Sequence, residues 1–395
     1  MSTSIFEKEE QYFFHTYHRL PIEIDYGEGV YLYTKNGKRL VDFFGGLAVN
    51  ALGYCHPKII EAIDKQIRRY NHLSNYFIQD TQVELAERIL NVSKGMKKIF
   101  FTNSGTEAVE GAIKLARKWG KKHGKSELFC LSNSFHGRTM GALSLTDRPK
   151  YRDGYEPFLP HTGVIDFNNI EDLERKVNEN TLGVILECIQ GEGGINEVSQ
   201  EFADALSALQ ENFGFLIIAD EIQAGMGRTG KFFSYEHLNL QPDIVVIAKA
   251  IGGGLPLGAM LGNERVENVF NSGDHGTTFG GNPVSCAAGC AVMEEVVSHK
   301  LMDRAGAIGS HLLSHAKELQ KEFPKIIKDV RGKGCMIGID LQFDGQGIVD
   351  ELRDRGFFVN CTNTTVIRLL PPYIIEQTHC DALMSEMKQI FKIKR

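Results

Sequence analysis

Short apolar runs, rich in β-branched residues, alternate with helical patterns from about residue 57 to about residue 290. Runs of this kind that end in polar or glycine-rich segments predict buried strands. The predicted strands are KKIFFT, ELFCLS, TLGVILE, GFLIIAD, DIVVIA and GAMLG. Because strands and helices alternate, we predict an α/β fold class with a large, doubly wound, mainly parallel sheet.

The two ends of the chain have different patterns. Near the N-terminus, alternating apolar residues flank Asn36-Gly37, a strong signal for a hairpin turn. After about residue 291, one long helical stretch precedes the short strands GCMIGIDL, FFVNC and VIRLL and a last helix from about Glu376. We therefore predict an N-terminal segment, a large domain and a smaller C-terminal α+β domain, with the bounds 1–56, 57–290 and 291–395.

Composition and charge narrow the class of protein. The net charge of −6 is mildly acidic, which argues against nucleic-acid and anionic-membrane partners. No apolar run approaches the ~20 residues that a membrane-spanning helix needs. The eight cysteines are scattered without a CxxC pair, and the first residues lack the apolar core of a signal peptide. We therefore expect a cytoplasmic protein in a reducing compartment.

Two histidines have a spacing that a metal ion can use. His311 and His315 are four residues apart, so they share one face of a helix. A protein zinc site needs at least three ligands, and the neighbouring sequence offers neither an acid nor a third ligand. We therefore expect no metal site.

Two charged residues follow predicted strands. Asp220 ends FLIIAD, and Lys249 comes directly after DIVVIA. The carboxyl ends of parallel strands border the ligand crevice of an α/β sheet, so both side chains are expected there. A lysine buried without a partner is costly, whereas imine formation removes its charged amine. An acid for a pyridinium nitrogen and a lysine for an aldehyde are the protein groups of pyridoxal 5′-phosphate (PLP) chemistry.

With Asp220 and Lys249 at these positions, the sequence resembles the class III aminotransferases of the PLP fold-type I superfamily. Within that class it is most similar to the acetylornithine and ornithine aminotransferases. DEIQ, AKAIGGG, SGTEA, FHGR, QGEGG and HGTTFGGNP follow the family's order, and the resemblance extends from Tyr17 to about Pro372. It implies PLP as cofactor and a homodimer with active sites shared across the interface. It also implies that the N-terminal segment packs with the C-terminal domain.

The resemblance assigns the cofactor phosphate to two segments. Ser104, Gly105 and Thr106 open a helix after the strand KIFF, and a helix N-terminus favours phosphate. An ordinary helix N-cap is the local alternative. The family uses Thr278, contributed by the neighbouring subunit, as a further phosphate ligand. The alternative there is a glycine-rich loop without direct contact.

Asp220 and Lys249 are the expected catalytic residues. By resemblance, Asp220 pairs with the pyridine nitrogen and keeps it protonated. Lys249 binds the cofactor covalently and then acts as the base that moves a proton between substrate and cofactor.

Further residues surround the cofactor ring in the resembled family. Gln223 corresponds to the residue that binds the ring 3′-oxygen. Ile222 and Phe135 correspond to the side chains that pack on the two ring faces. We expect His136 to be a positioning residue and not a base, and Glu221 to have a structural role.

The resemblance also assigns substrate residues. Arg138 and Arg368 are the carboxylate ligands, because arginine holds a carboxylate bidentately. Arg368 corresponds to the residue that holds the α-carboxylate of glutamate or 2-oxoglutarate, and Glu192 to the gate that pairs with it when an ω-amine is bound. Thr277 corresponds to a position that contacts acetylornithine, and Tyr17 lies near the substrate entrance. Structural salt bridges are the alternative for both arginines.

The predicted reaction transfers the δ-amino group of N-acetylornithine to 2-oxoglutarate, in arginine biosynthesis. Ornithine aminotransferases carry a second aromatic residue in the segment that corresponds to residues 45–50, and this chain has none there. N-succinylornithine, ornithine and 4-aminobutyrate aminotransferases are alternatives that share most motifs. An aminomutase, which needs no 2-oxoglutarate, and a non-catalytic binding protein are weaker alternatives.

Overall fold

The computed structural model describes residues 4–394. The helices are α1 (Ile5–Tyr12), α2 (Gly45–Ala48), α3 (Pro57–Ile67), α4 (Asp80–Val92), α5 (Gly105–His123), α6 (Met140–Ser144), α7 (Pro149–Arg152), α8 (Ile170–Lys176), α9 (Gln200–Phe213), α10 (Pro283–Met293), α11 (Leu301–Glu322), α12 (Gln346–Asp354) and α13 (Gln377–Ile393). None of these helices has the length and apolarity that crossing a bilayer requires.

The strands form one seven-stranded sheet, two four-stranded sheets and a two-stranded ribbon. They are β1 (Ile24–Glu28), β2 (Tyr31–Thr34), β3 (Arg39–Asp42), β4 (Met96–Thr102), β5 (Glu127–Leu131), β6 (Thr162–Ile165), β7 (Thr181–Leu186), β8 (Ile189–Gln190), β9 (Asn196–Glu197), β10 (Leu216–Asp220), β11 (Ile244–Ile247), β12 (Gly258–Asn263), β13 (Ile327–Lys333), β14 (Met336–Leu341), β15 (Phe357–Phe358), β16 (Asn360–Thr362) and β17 (Val366–Leu369).

The seven-stranded sheet has the order β4-β12-β11-β10-β7-β5-β6. From β11 to β6 the neighbouring strands are parallel, and β12 is antiparallel to both β11 and β4. Every residue of β7, β10 and β11 is buried, as expected for parallel strands covered on both faces. The predicted α/β class and mainly parallel sheet are confirmed. Of the seven strands of this sheet, the apolar runs missed β6 alone, whose sequence TGVI begins with a polar residue and a glycine.

The N-terminal hairpin consists of β2 and β3 around Asn36-Gly37, as predicted. Gly37 has a φ of 84°, which glycine adopts without the steric cost of a Cβ atom. After the hairpin, β3 pairs in parallel with β15, with Val41 beside Phe357. This pairing joins the beginning and the end of the chain in one sheet.

Two predictions for the C-terminal part were wrong. The run FFVNC is not one strand, because β15 pairs with β3 whereas β16 pairs with β17 in the sheet β13-β14-β17-β16. The long helical stretch is also interrupted after α10. Glu294–Ser298 form a π-helical turn, and Lys300 has a φ of 56° before α11 begins. A left-handed residue cannot continue an α-helix, so the stretch forms two helices.

The packing of α11 against α13 overturns the premise about His311 and His315. Oδ1 of Asp381, near the start of α13, lies 2.6 Å from Nε2 of His311 and 3.9 Å from Nε2 of His315. The statement that no acid lies nearby was therefore wrong. The local sequence could not show this contact, because β13 to β17 separate the two helices along the chain.

Candidate active site

A cavity of about 410 Å³ lies where β10 and β11 end, and it brings together most of the predicted cofactor residues. Its wall includes the N-terminus of α5 and the loops that follow β5, β10 and β11. The predicted residues that line it are Ser104, Gly105, Thr106, Phe135, His136, Arg138, Asp220, Ile222, Gln223 and Lys249. The position of the cavity at the carboxyl ends of the strands agrees with the sequence-based prediction.

Lys249 follows β11 in a strained backbone conformation. Its φ of 54° lies in the left-handed region, which costs a residue other than glycine about 1–3 kcal/mol. Desolvation lowers the pKa of Lys249 to about 8, although the charge of Glu192 opposes part of this shift. A larger fraction of the amine is therefore uncharged and nucleophilic near neutral pH than in an exposed lysine.

Asp220 is fixed by two hydrogen bonds at the end of β10. Nδ1 of His136 lies 2.6 Å from its Oδ2, and the Ile222 N–H donates to its Oδ1 at 3.0 Å. Asp220 and His136 are 4% and 2% exposed. A buried carboxylate supported in this way favours positive charge on a ring nitrogen placed against it. The contact of His136 with Asp220 is compatible with the positioning role predicted for the histidine.

Glu187 is a second buried acid in the cavity wall, and it is not among the residues predicted from the sequence. Its carboxylate accepts hydrogen bonds from the N–H groups of Phe135 and Gly191, both at 2.9 Å. Burial raises the pKa of Glu187. The neighbouring His136 lowers this pKa in part, and the charge of Asp220 raises it further. Glu187 ends the run TLGVILE as Asp220 ends FLIIAD, so the same signal marks both acids.

Glu221, the neighbour of Asp220, contributes to the protein framework. Its carboxylate accepts hydrogen bonds from the hydroxyl of Ser234 at 2.7 Å and from the N–H of Tyr235 at 3.0 Å. Burial raises the pKa of Glu221 to about 7. Glu221 does not line the cavity described above, which agrees with the structural role predicted for it.

The N-terminus of α5 is a capped helix end and also part of the cavity wall. The sequence left open whether it is an ordinary N-cap or a phosphate site. Ser104 caps the helix, since its hydroxyl accepts a hydrogen bond from the Glu107 N–H at 3.3 Å. Ser104, Gly105 and Thr106 also line the cavity, so the capped helix end is available to an anion. A Cβ atom on Gly105 would lie 2.8 Å from Cδ1 of Ile222, which explains the glycine.

Arg368 and Glu192 form a buried ion pair beside the cavity. Nη1 of Arg368 donates to Oε1 of Glu192 at 2.5 Å and to Oε1 of Gln223 at 3.2 Å. The side chains of Arg368 and Glu192 are 2% and 18% exposed. Burial raises the pKa of Glu192, but the charge and hydrogen bond of Arg368 outweigh this and hold it below its usual value. The predicted gate pair is thus formed, and Gln223 connects it to the cavity.

Arg138 lies against two aromatic rings at the cavity wall. Its guanidinium carbon lies 3.9 Å from the ring centroid of Tyr151 and 5.7 Å from that of Phe135. The two rings meet edge to face at 5.6 Å. Stacking orients a guanidinium while its N–H groups stay available to a carboxylate. The sequence did not indicate Tyr151, because no motif marks its position.

Five predicted site residues do not line this cavity: Arg368 and Glu192, which lie beside it, and Tyr17, Thr277 and Thr278. Tyr17 is 72% exposed, and Thr278 is also exposed. The hydroxyl of Thr277 accepts hydrogen bonds from Nδ2 of Asn103 and from the Gly280 N–H, both at 3.2 Å. Asn103 lines the cavity, so Thr277 contacts a residue of the cavity wall without lining the cavity itself. The substrate and cofactor roles of these five residues stay predictions.

A left-handed turn leads into Val49, another residue of the cavity wall. Gly45, Gly46, Leu47 and Ala48 have φ values of 58°, 61°, 65° and 63°. This conformation costs an L-residue about 1–2 kcal/mol, so Leu47 and Ala48 are strained. Backbone strain of this kind is concentrated at functional sites. Gly45 and Gly46 adopt this conformation without that steric cost, but no pattern in the sequence extends it to Leu47 and Ala48.

Comparison with known proteins identifies the family. The chain matches the family described as Aminotransferase class-III over residues 12–391. It belongs to the class III aminotransferases. This class III aminotransferase is 42% identical to the acetylornithine aminotransferase of Aquifex aeolicus (strain VF5), over 96% of this chain and 99% of that one. It is 39% identical to ornithine aminotransferase 1 of Staphylococcus aureus (strain Mu50), over 98% and 99% of the two chains.

The fold of this class III aminotransferase also has a close match among solved structures. The ornithine aminotransferase from Toxoplasma gondii ME49 superimposes with a TM-score of 0.93 at 29% sequence identity. The match covers 99% of this chain and 95% of the other. The predicted family and the fold-type I architecture are confirmed.

Proposed function

We propose that this class III aminotransferase transfers the δ-amino group of N-acetylornithine to 2-oxoglutarate. The products are N-acetylglutamate 5-semialdehyde and glutamate, and the reaction serves arginine biosynthesis. The observation that carries the proposal is the convergence of Lys249 and Asp220 on one cavity beside the Arg368–Glu192 pair. The identity of 42% to the acetylornithine aminotransferase of Aquifex aeolicus supports the choice of amine.

The donor set of the cavity fits PLP as the cofactor. The N-terminus of α5 suits its phosphate, the buried Asp220 suits a protonated ring nitrogen, and Lys249 suits its aldehyde. Ile222 and Phe135 line the space between these groups and offer apolar contacts to the ring. When bound, PLP supplies an electron sink that makes the proton on the carbon beside the amine easier to remove.

Lys249 is the proton carrier in this proposal. With PLP and the donor in place, Nζ of Lys249 would take the proton from Cδ of N-acetylornithine. In the second half-reaction Nζ delivers a proton to Cα of the new glutamate. A pKa of about 8 suits both directions, since the amine gains and loses a proton near neutral pH. Asp220 holds the ring nitrogen, and His136 holds Asp220.

Arg368 and Glu192 allow one pocket to accept two kinds of substrate. With an ω-amine donor, Glu192 pairs with Arg368 and neutralises its charge. With 2-oxoglutarate, Glu192 moves away, and Arg368 holds the α-carboxylate through two hydrogen bonds. The lowered pKa of Glu192 keeps the pair charged and closed before 2-oxoglutarate arrives.

The donor side of the cavity favours an acylated ornithine. Arg138 offers a cation for the α-carboxylate, and Val49 offers an apolar contact for an acyl group. Free ornithine brings a charged α-amine, whose transfer from water is costly, and the charge of Arg138 repels it. Ornithine is the second candidate because the Staphylococcus aureus relative, 39% identical, is an ornithine aminotransferase.

The role of Arg138 is testable with a substrate that lacks the carboxylate. Arg138→Leu is expected to lower kcat/KM for N-acetylornithine by about 10–150-fold, since a charge-assisted hydrogen bond contributes about 1.5–3 kcal/mol. N-acetylputrescine, the same donor without the α-carboxylate, should react equally well with both enzymes. Arg152→Leu is the control, because Arg152 stacks on Phe158 at 4.3 Å. An equal loss with both donors contradicts the assignment.

The lowered pKa of Lys249 predicts how apoenzyme takes up the cofactor. With a pKa of about 8, the rate of covalent attachment of PLP should rise tenfold per pH unit up to pH ~8 and then level off. The reason is that only the uncharged amine attacks the aldehyde. Stopped-flow absorbance measures the rate, with N-acetyl-lysine amide as the control. A rate that keeps rising to pH ~10, as for an ordinary lysine, contradicts the desolvated site.

A homodimer with shared active sites is the proposed assembly. Tyr76, Ile78 and Phe279 are 96%, 93% and 60% exposed. Asn75 donates hydrogen bonds to backbone carbonyls of the loop that carries Thr278, so these apolar side chains and Thr278 lie on one surface. Contiguous exposed apolar side chains are typical of subunit interfaces. A second subunit bound at this surface would bring Thr278 to the cofactor phosphate of the neighbouring subunit, as proposed.

The domain division 1–56, 57–290 and 291–395 is part of the same proposal. The pairing of β3 with β15 supports packing of the N-terminal segment against the C-terminal domain. The eight cysteines are free, which supports a cytoplasmic enzyme.

Isotope transfer tests the reaction type. N-acetylornithine carrying ¹⁵N at the δ position is incubated with the PLP-loaded enzyme, with and without 2-oxoglutarate. We expect labelled glutamate only when 2-oxoglutarate is present. An aminomutase would instead move the label within the donor and would not need 2-oxoglutarate. An isomerised donor with no labelled glutamate contradicts an aminotransferase.

A further inference from the structure

His311, His315 and Asp381 bring three metal-ligating side chains together where α11 packs against α13. Within residues 4–394, their ligand atoms lie within 4.8 Å of one another. The imidazole centroids of His311 and His315 are 4.5 Å apart. Histidines four residues apart on one helix face are a common pair of zinc ligands. Because Asp381 belongs to another helix, the cluster connects two elements of the C-terminal part.

The distances suit a tetrahedral divalent ion after small side-chain rotations. Oδ1 of Asp381 lies 2.6 Å from Nε2 of His311 and 3.9 Å from Nε2 of His315. Zinc binds nitrogen at about 2.0–2.1 Å and carboxylate oxygen at about 2.0–2.2 Å, which places neighbouring ligand atoms about 3.3 Å apart. Lengthening the first contact and shortening the second by less than ~1 Å each brings both to this separation, and the ligand nitrogens of the two histidines lie within 4.8 Å of each other.

Glu318 adds a carboxylate behind one of the ligands. Its Oε2 lies 3.7 Å from Nδ1 of His315, on the ring nitrogen opposite the one that faces Asp381. A carboxylate in this place orients a ligating histidine and increases its basicity. The side chains of His311, His315 and Asp381 are 22%, 39% and 52% exposed. Water can therefore reach the cluster and complete the coordination.

We propose that His311, His315 and Asp381 bind one divalent transition-metal ion of the Zn²⁺ type, with water as the fourth ligand. Two imidazoles and a carboxylate match the ligand types that Zn²⁺ prefers. The carboxylates of Asp381 and Glu318 offset the charge of the ion. The bound ion links α11 to α13 and stabilises the packing of these two helices.

Zinc binding to the PLP-loaded enzyme tests this site. The ion is titrated near neutral pH, where imidazoles are largely uncharged, in competition with a chromophoric chelator. We expect saturable binding of one ion per chain. His315→Ala and Asp381→Asn should each weaken it by at least about tenfold, the effect expected for the loss of a ligand. Asp381→Asn keeps the size of the side chain, and circular dichroism verifies that both variants are folded.

His299→Ala is the matched control. His299 is a surface histidine whose Nδ1 lies 2.9 Å from a carboxylate oxygen of Glu295 four residues earlier, so it reports zinc binding by a simple histidine–acid pair. The control should bind zinc as the unsubstituted enzyme does. Affinity that is unchanged in both His315→Ala and Asp381→Asn overturns the proposal. The absence of saturable one-to-one binding by the unsubstituted enzyme also overturns it.

Discussion

Replacing Lys249 with alanine is expected to lower transamination by at least about 10⁴-fold, because the variant loses both the covalent attachment and the proton carrier. The N-terminus of α5 and Asp220 are unchanged, so the variant should still bind PLP non-covalently. The visible absorbance of the attached cofactor should be lost. Steady-state turnover and absorbance spectra of the purified variant measure both effects.

Lys231→Ala is the matched control for this substitution. Lys231 is exposed and donates a hydrogen bond to the backbone carbonyl of Glu236 at 2.8 Å, so its removal should not change turnover. Added methylamine should restore part of the activity of Lys249→Ala, because a small amine can carry the proton in place of Nζ. Turnover by Lys249→Ala at the normal rate would remove the mechanism proposed above.

Arg368→Ala is expected to raise KM for 2-oxoglutarate by about 10–150-fold, since hydrogen bonds to a charged group contribute about 1.5–3 kcal/mol. The half-reaction with N-acetylornithine should change much less if Glu192 stays paired with Arg368 there, as proposed and as it is in the structure. Stopped-flow measurements of the two half-reactions separate these effects.

Arg368→Ala also leaves Glu192 buried without its partner, and an unpaired buried charge destabilises the folded protein. The double variant Arg368→Ala/Glu192→Gln removes this unpaired charge and shows the loss of carboxylate recognition alone. We expect it to recover thermal stability but not the affinity for 2-oxoglutarate. An unchanged KM for 2-oxoglutarate in both variants contradicts the role assigned to Arg368.

The strands around the cavity were predictable because parallel strands buried on both faces read as continuous apolar runs. Asp220 and Lys249 were predictable for the same reason, since each follows such a run and strand ends meet at the crevice. Glu187 carries the same signal at the end of β7 and was missed. The capped N-terminus of α5 was also predictable, because capping depends on residues close in sequence.

Other features depend on contacts that no local pattern contains. FFVNC was predicted as one strand, but β15 and β16 join different sheets. Asp381 meets His311 and His315 only because α11 packs against α13. The left-handed turn through Leu47 and Ala48 opposes their intrinsic preference, so only the surrounding structure can impose it.

The most direct test of the central claim compares amine donors in the first half-reaction. PLP-loaded enzyme is mixed, without 2-oxoglutarate, with N-acetylornithine, N-succinylornithine, ornithine or 4-aminobutyrate, and the loss of the visible cofactor absorbance gives each rate. Fast conversion by N-acetylornithine and much slower conversion by the others is the result that we predict. Faster conversion by any of the other three contradicts the proposed substrate, and no conversion by any donor contradicts the proposed aminotransferase reaction.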